Sequence, residues 1–274
     1  MPKIHPTAIV HPEAQLADDV EVGPYCIVEQ DVTIGSGTVL RQHAIVRRYT
    51  TMGSGNFVDS FVVLGGEPQD FGFDAASRTF LRIGDENIFR EGVTVSRATG
   101  EGKSTTIGSR TYWMTHSHAG HNATIEDGVI LGNGAATAGH AVIGRKAILS
   151  GGVMVHQFCW VGEMVMTQGH AGASMHIPPF CLLANINNVV ALNTVGLRRA
   201  KDFTEEDRRQ IHEAFYLLYR SGLPTSKALE KMDEHADWGP AAGRFREFIR
   251  KALTAEKPFR RGICPMVRRD RERG

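Results

Sequence analysis

No stretch of this 274-residue chain reaches the roughly 18 consecutive apolar residues that a membrane-spanning helix needs. The first residues, MPKIHPTAIVHPEAQ, hold no apolar block, so no signal peptide is expected there. Neither sign of charge dominates. There are 31 basic and 30 acidic residues, a net charge of +1, and this removes the global argument for nucleic-acid or membrane attraction. Cysteine is scarce. Cys26, Cys159, Cys181 and Cys264 form no CxxC pair and no framework spacing, and three of them stand in apolar contexts as small core residues. A reducing cytoplasm is the expected compartment. One local charge excess exists: Lys257, Arg260, Arg261, Arg268, Arg269, Arg271 and Arg273 meet only Asp270 and Glu272. A solvated tail is the expectation there, with contact to an acidic carrier protein or an anionic membrane surface as the functional alternative.

What the chain does have is a repeat of six. Ile4, Val10, Leu16, Val22, Val28, Ile34, Leu40, Val46, Met52, Val58 and Leu64 follow one another at that spacing, all aliphatic or Met. Four residues after each comes a slim side chain, such as Ala8, Ala14, Cys26, Thr38 or Ala44. The count resumes at Ile83, Phe89 and Val95, and again from Ile107 through Trp113, Ala119, Ile125, Leu131, Thr137, Ile143, Leu149 and Val155 to Val161. Period six fits neither an α-helix at 3.6 residues nor an isolated strand at 2. It fits a coil of three flat faces, eighteen residues per turn, the hexapeptide pattern of the parallel β-helix. Successive coils stack at about the 4.8 Å strand spacing. Glycines directly after the aliphatic residue (Gly35, Gly84, Gly108, Gly144, Gly162) are read as serving the turn between faces.

Two breaks, 65–82 and 96–106, are too long for turns and are expected as loops thrown out of the coil, where function concentrates. Beyond about residue 195 the spacing becomes helical. Thr204 caps a first helix carrying Ile211, Phe215, Leu218 and Tyr219, which Gly222 ends. Thr225 is expected to cap a second, reaching about His235. A third runs from about Pro240 to Leu253, with Phe245, Phe248, Ile249 and Leu253 on one face. The expected organisation is thus a mainly β chain: a parallel β-helix over 1–195, then a small C-terminal α-helical domain over 196–274.

Seven of the twelve histidines lie between 116 and 176. Residues eighteen apart stack, so His121 lies under Gly139 and Gln157, Asn122 under His140 and Phe158, and Gly120 under Ala138 and His156. His121, His140 and His156 therefore converge on one edge over three coils, with His118 beside them. None occupies an inward hexad slot. His116-x4-His121 resembles the zinc pair of the γ-class carbonic anhydrases, which share this coil, but no histidine between His43 and His116 supplies their third ligand. No metal is expected, and a metal-binding hexapeptide protein stays as the alternative outside catalysis.

Read for chemistry, a histidine patch on a rigid coil suits general-base catalysis, because the imidazole titrates near neutrality and a hydroxyl nucleophile needs such a base. Cys159 as a covalent nucleophile is weaker, since its slot points inward.

The motifs Gly66-Glu-Pro-Gln-Asp70, His118-x-x-His121, Ala138-Gly-His140, His156-Gln-Phe-Cys159, Pro178-Pro179, Gly196-Leu-Arg-Arg199 and Tyr219-Arg-Ser-Gly222 carry a resemblance over nearly the whole chain. The sequence resembles the UDP-N-acetylglucosamine O-acyltransferases of lipid A synthesis. HQFC and YRSG separate it from the sister N-acyltransferases. The resemblance implies a left-handed coil and a cytoplasmic homotrimer. It implies transfer of a (3-hydroxy)acyl chain from acyl carrier protein to the 3-hydroxyl of the nucleotide sugar, with no cofactor beyond the carrier's own phosphopantetheine thioester. It assigns His121 as base and the Gly139 N–H as oxyanion donor. Gln69, Asp70, His118, Asn122, His140, His156 and Gln157 line the sugar and pantetheine path. Asn193 and Arg199 contact the nucleotide, and Gly169 ends the acyl channel. The chain departs from the family at Gly72 (usually Lys), Ser96 (His) and Asn122 (commonly Asp), and Val195 and Ala200 stand where polar contacts are expected. A different acceptor, such as a 3-amino sugar, is the alternative within the class.

Overall fold

The computed structural model describes residues 1–234 and 237–267. Strands of mostly two residues stack into three parallel sheets, so that Lys3 pairs with Glu21, Ile9 with Ile27 and Gln15 with Thr33, each eighteen residues on. Among the described residues the first, second and third faces hold eleven, nine and eight strands. The architecture is the left-handed parallel β-helix with a small helical region at its C-terminal side. The inward aliphatics from Val22 onward are buried, as are the slim residues between them, including Val20, Cys26, Thr38 and Ala44. Each fully buried Leu, Ile or Val contributes about 1.5–3 kcal/mol relative to exposure. One polar seam runs inside. Asn87 Nδ2 donates to Asn56 Oδ1 at 2.9 Å, Thr111 Oγ1 to Asn87 Oδ1 at 2.6 Å, and Trp113 Nε1 to Thr111 Oγ1 at 2.8 Å. A closed seam of this kind leaves its buried amides satisfied.

The turns correct one reading. Gly35, Gly144 and Gly162 are not in left-handed conformation. They are glycine because a Cβ would meet backbone of the next coil, at 2.6 Å for Gly35, 2.6 Å for Gly144 and 2.3 Å for Gly162. From Val22 to Thr167 the left-handed residue stands three positions after the inward residue, except where the two loops leave the coil, and it is often not glycine. On the edge between the second and third faces it is Asp31, Tyr49, Asn122, His140 and Phe158, with φ of 56°, 64°, 58°, 60° and 63°.

The loops are shorter than expected, because pairing continues to Gly66 and restarts at Phe80, and continues to Ser96 and restarts at Ser104. The true excursions are 67–79 and 97–103. The first face ends with Cys181–Ala184, stacked parallel on Met166–Thr167, and with Asn188–Leu192, which pairs antiparallel to it. Among the described residues four helices follow: α1 (Thr194–Arg199), α2 (Glu205–Tyr219), α3 (Thr225–Asp233) and α4 (Pro240–Thr254). The α1 turn carries no helical period in the sequence and was not foreseen. Thr204 caps α2 in a full capping box with Asp207. Thr225 lies inside α3, whose N-cap is Pro224 without a side-chain bond, and α3 stops at Asp233, so His235 falls outside the described residues. On α4 the apolar face is Ala241, Ala242, Phe245, Ile249 and Ala252, while Leu253 is exposed. No described helix is long and apolar enough to cross a membrane.

The expectation of a solvated tail fails for its first half. Residues 259–266 return to the coil: the Cys264 N–H donates to His176 O at 2.8 Å, Tyr219 Oη to Cys264 O at 2.9 Å, and Cys264 is fully buried. Arg268, Arg269, Asp270, Arg271, Glu272 and Arg273 lie outside the described residues.

Candidate active site

Both excursions leave the coil at the edge between the second and third faces, the edge that carries His121. Arg97 ties them together. Its guanidinium is 1 % exposed, donates to Ser77 O at 3.3 Å and Thr79 Oγ1 at 3.2 Å, and lies 3.6 Å from Glu67 Oε1. Burial first, and then the neighbouring Arg48, hold its pKa below the usual arginine range. No sequence pattern singled out Arg97, because its partners come from a non-repeating loop. Beside the tied loops a groove of about 570 Å³ runs along the outer second face. Gln69, His118, His121, Gly139, His156 and Gln157 are among the residues that line it, with apolar Ala136, Met154 and Ile186 further along.

His121 is held from one side. Its Nδ1 lies 2.8 Å from Asn122 Oδ1. The Asn122 amide is itself fixed by loop residue Thr99, whose N–H and hydroxyl donate to Oδ1 at 2.9 and 3.0 Å and whose carbonyl accepts from Nδ2 at 3.1 Å. A backbone N–H can only donate and a carbonyl only accept, so this amide has one orientation. Nδ1 of the neutral imidazole must then carry the proton, and Nε2 keeps its lone pair. Nε2 faces Asp70 Oδ2 at 3.9 Å and the α-carbon of Gly139, where a Cβ would come within 2.6 Å of it. The Gly139 N–H donates to no acceptor among the described residues. Thr99 was not foreseen, and the single signal for it is its place in the second break of the period.

The remaining histidines differ in surroundings. His118 Nδ1 bonds Thr94 Oγ1 at 2.8 Å, and burial lowers its pKa. His140 meets His121 edge-on at 5.2 Å and stacks on Phe158 at 4.7 Å, and burial followed by the His121 charge lowers its pKa. His156 and Gln157 are exposed, and the Gln157 carbonyl accepts from Arg261 of the returning segment at 3.0 Å. Cys159 is fully buried and pushed up to about 11 by burial, so it is not a nucleophile here. Asp70 also accepts from the Gly72 N–H at 2.9 Å, in an Asx turn.

Three expected site residues stand apart from this groove within one protomer. Asn193 caps α1, its Oδ1 accepting from the Gly196 N–H at 2.9 Å and its Nδ2 donating to Met164 O at 2.9 Å. Arg199 is exposed on the last turn of α1. Gly169 sits on the edge between the first and second faces, where a Cβ would meet Gly151 O at an ordinary contact distance of 3.6 Å. His116 is on that same far edge, separated from His121 by the strand His118–Ala119, so the pair does not meet on one protomer. No cluster of three His, Cys, Asp or Glu suited to a metal ion occurs among the described residues.

Residues 177–264 match the family model described as UDP N-acetylglucosamine O-acyltransferase, domain 2. The acyl-(acyl-carrier-protein)–UDP-N-acetylglucosamine O-acyltransferase of Stenotrophomonas maltophilia is 37 % identical over 263 residues, covering 95 % of this chain and 98 % of the relative. The protein of the same name from Anaeromyxobacter dehalogenans is 39 % identical, covering 90 % and 96 %. Among solved structures, the UDP-N-acetylglucosamine acyltransferase of Francisella novicida superposes with a TM-score of 0.89 at 32 % identity, covering 96 % of this chain and 94 % of its own.

Proposed function

The chain belongs to the acyl-carrier-protein-dependent UDP-N-acetylglucosamine O-acyltransferases, and from that premise we propose that it moves an acyl chain from the carrier thioester to the sugar 3-hydroxyl in lipid A synthesis. The observation that carries the proposal is one juxtaposition. A lone-pair imidazole nitrogen, fixed by Asn122, faces a glycine whose N–H has no partner among the described residues, across a groove whose far part is apolar.

In this reading His121 Nε2 takes the proton of the acceptor hydroxyl as its oxygen attacks the thioester carbon. Negative charge gathers on the former carbonyl oxygen, and the Gly139 N–H is placed to receive it. Collapse expels the pantetheine thiolate, which takes the proton back from the imidazolium. The thioester arrives activated, so no separate cofactor enters. Asp70 and Gln69 hold sugar hydroxyls, and His118, His140, His156 and Gln157 line the path. Asn193, Arg199 and Gly169 act from a neighbouring copy in a threefold homotrimer, since in one protomer they lie away from the groove. The setting is the cytoplasm, where nucleotide sugar and carrier are available.

The test is an acyl-transfer assay with 3-hydroxyacyl carrier proteins of several lengths, UDP-N-acetylglucosamine, and its 3-amino analogue in parallel. Turnover with the ordinary sugar is expected. Turnover with neither acceptor, from a folded protein, overturns the reading.

A further inference from the structure

We propose that the arginines gathered around Tyr49 form a binding site for a phosphate-type oxyanion, beside the 67–79 loop that also supplies Gln69 to the groove. The guanidinium carbons of Arg48, Arg78 and Arg97 lie 5.3, 5.4 and 5.6 Å from the centre of the one Tyr49 ring. Phe80 meets that ring edge-on at 6.0 Å and carries Arg82 at 5.2 Å. An aromatic face orients a cation without neutralising it.

Two of the carboxylates nearby are engaged elsewhere, and a third is the ion partner of Arg97. Glu29 accepts from the backbone N–H of Arg48 at 2.9 Å and pairs with Arg47 at 3.6 Å. Glu101 accepts from the backbone N–H of Arg78 at 2.8 Å. Glu67 lies 3.6 Å from Arg97 and is half exposed. Among the described residues, no carboxylate pairs with the guanidinium of Arg48, Arg78 or Arg82. Behind them the Arg97 Nη2 is buried with no hydrogen-bond acceptor, and its ion partner is the half-exposed Glu67. Guanidiniums gathered about one ring, with the Arg97 charge buried beside them, offer the planar donor forks that phosphate oxygens accept.

The inference goes beyond acyl transfer, and binding tests it without turnover. Titration calorimetry of the full chain with inorganic phosphate, then pyrophosphate, at fixed ionic strength should give one saturable site per chain. Arg48→Gln and Arg78→Gln should each weaken it about tenfold or more, the loss expected for a charged hydrogen bond. Both side chains are at least partly exposed, so the melting temperature should hold. Arg199→Gln should leave the affinity unchanged. No saturable heat in the millimolar range, or an affinity that follows Arg199 and not Arg48 and Arg78, overturns the proposal. The kinetics then name the source. Phosphate competing with the nucleotide sugar points to the acceptor's pyrophosphate, and phosphate competing with the acyl donor points to the phosphodiester of the pantetheine arm. Inhibition against neither points to free phosphate. Each of these keeps the site.

Discussion

At the scale of the residue, His121 is defined by what surrounds it. Replacing it with Ala should lower kcat by about 10²–10⁴ or more with the melting temperature kept, because a general base contributes in that range. Near-normal rates would place the base elsewhere. Asn122→Asp asks a finer question. Nδ1 of His121 would then donate to a carboxylate, and an opposite charge favours imidazolium. The acid limb of the pH–rate profile should move up by about one unit, so that activity is lost at a higher pH on acidification. An unmoved limb would mean that the Asn122 contact does not govern the base. The meeting of His121 with His140 and Gly139 was legible in the sequence, because stacking by eighteen puts them side by side. The fixing of His121 by Thr99 was not, because the 97–103 loop has no period from which a neighbour can be counted.

At the scale of the element, the hexad makes a sharp distinction between two kinds of glycine. Gly144 and Gly162 lie where the next coil's backbone is within 2.6 and 2.3 Å of a built Cβ. Gly134 is left-handed with φ +64° and has open space around it. Gly144→Ala and Gly162→Ala should therefore cost about 1–3 kcal/mol through backbone displacement. Gly134→Asn should cost well under about 1 kcal/mol, since Asn tolerates that conformation. Urea melts of the three variants decide it, and equal losses would contradict the distinction. The coil itself was readable because one rule recurs along most of the chain. The returning C-terminal segment was not, because its contacts pair residues 83 apart (His176 with Phe259) and 104 apart (Arg261 with Gln157), at no repeating interval. Composition alone made it look like a tail.

At the scale of the whole molecule, acid should loosen the fold. Burial lowers the pKa of His118, His140 and His176 below their ordinary value near 6.5. Their unfolded forms take up protons first, so the unfolded state binds more protons in that window. Stability is full above about pH 6.5 and falls as pH drops toward the folded values. A melting temperature that does not decrease from pH 7 to mildly acidic pH would contradict this. The proposed trimer has its own check. His121→Ala and Arg199→Ala chains, each impaired alone, should recover activity when co-expressed, because some interfaces then pair an intact His121 with an intact Arg199. No recovery would place both residues in one protomer's site. The left-handed slot shared by Asp31, Tyr49, Asn122, His140 and Phe158 has a last consequence. It gives this edge of the molecule a graduated scale, one mark per coil from Asp31 to Phe158 except at the two coils that carry the loops. A duplicated block of eighteen residues between Phe158 and His140 would move everything above it by a single division of about 4.8 Å. The groups below would keep their spacing, so reach along the groove can be lengthened in fixed steps while His121 and its neighbours stay in place.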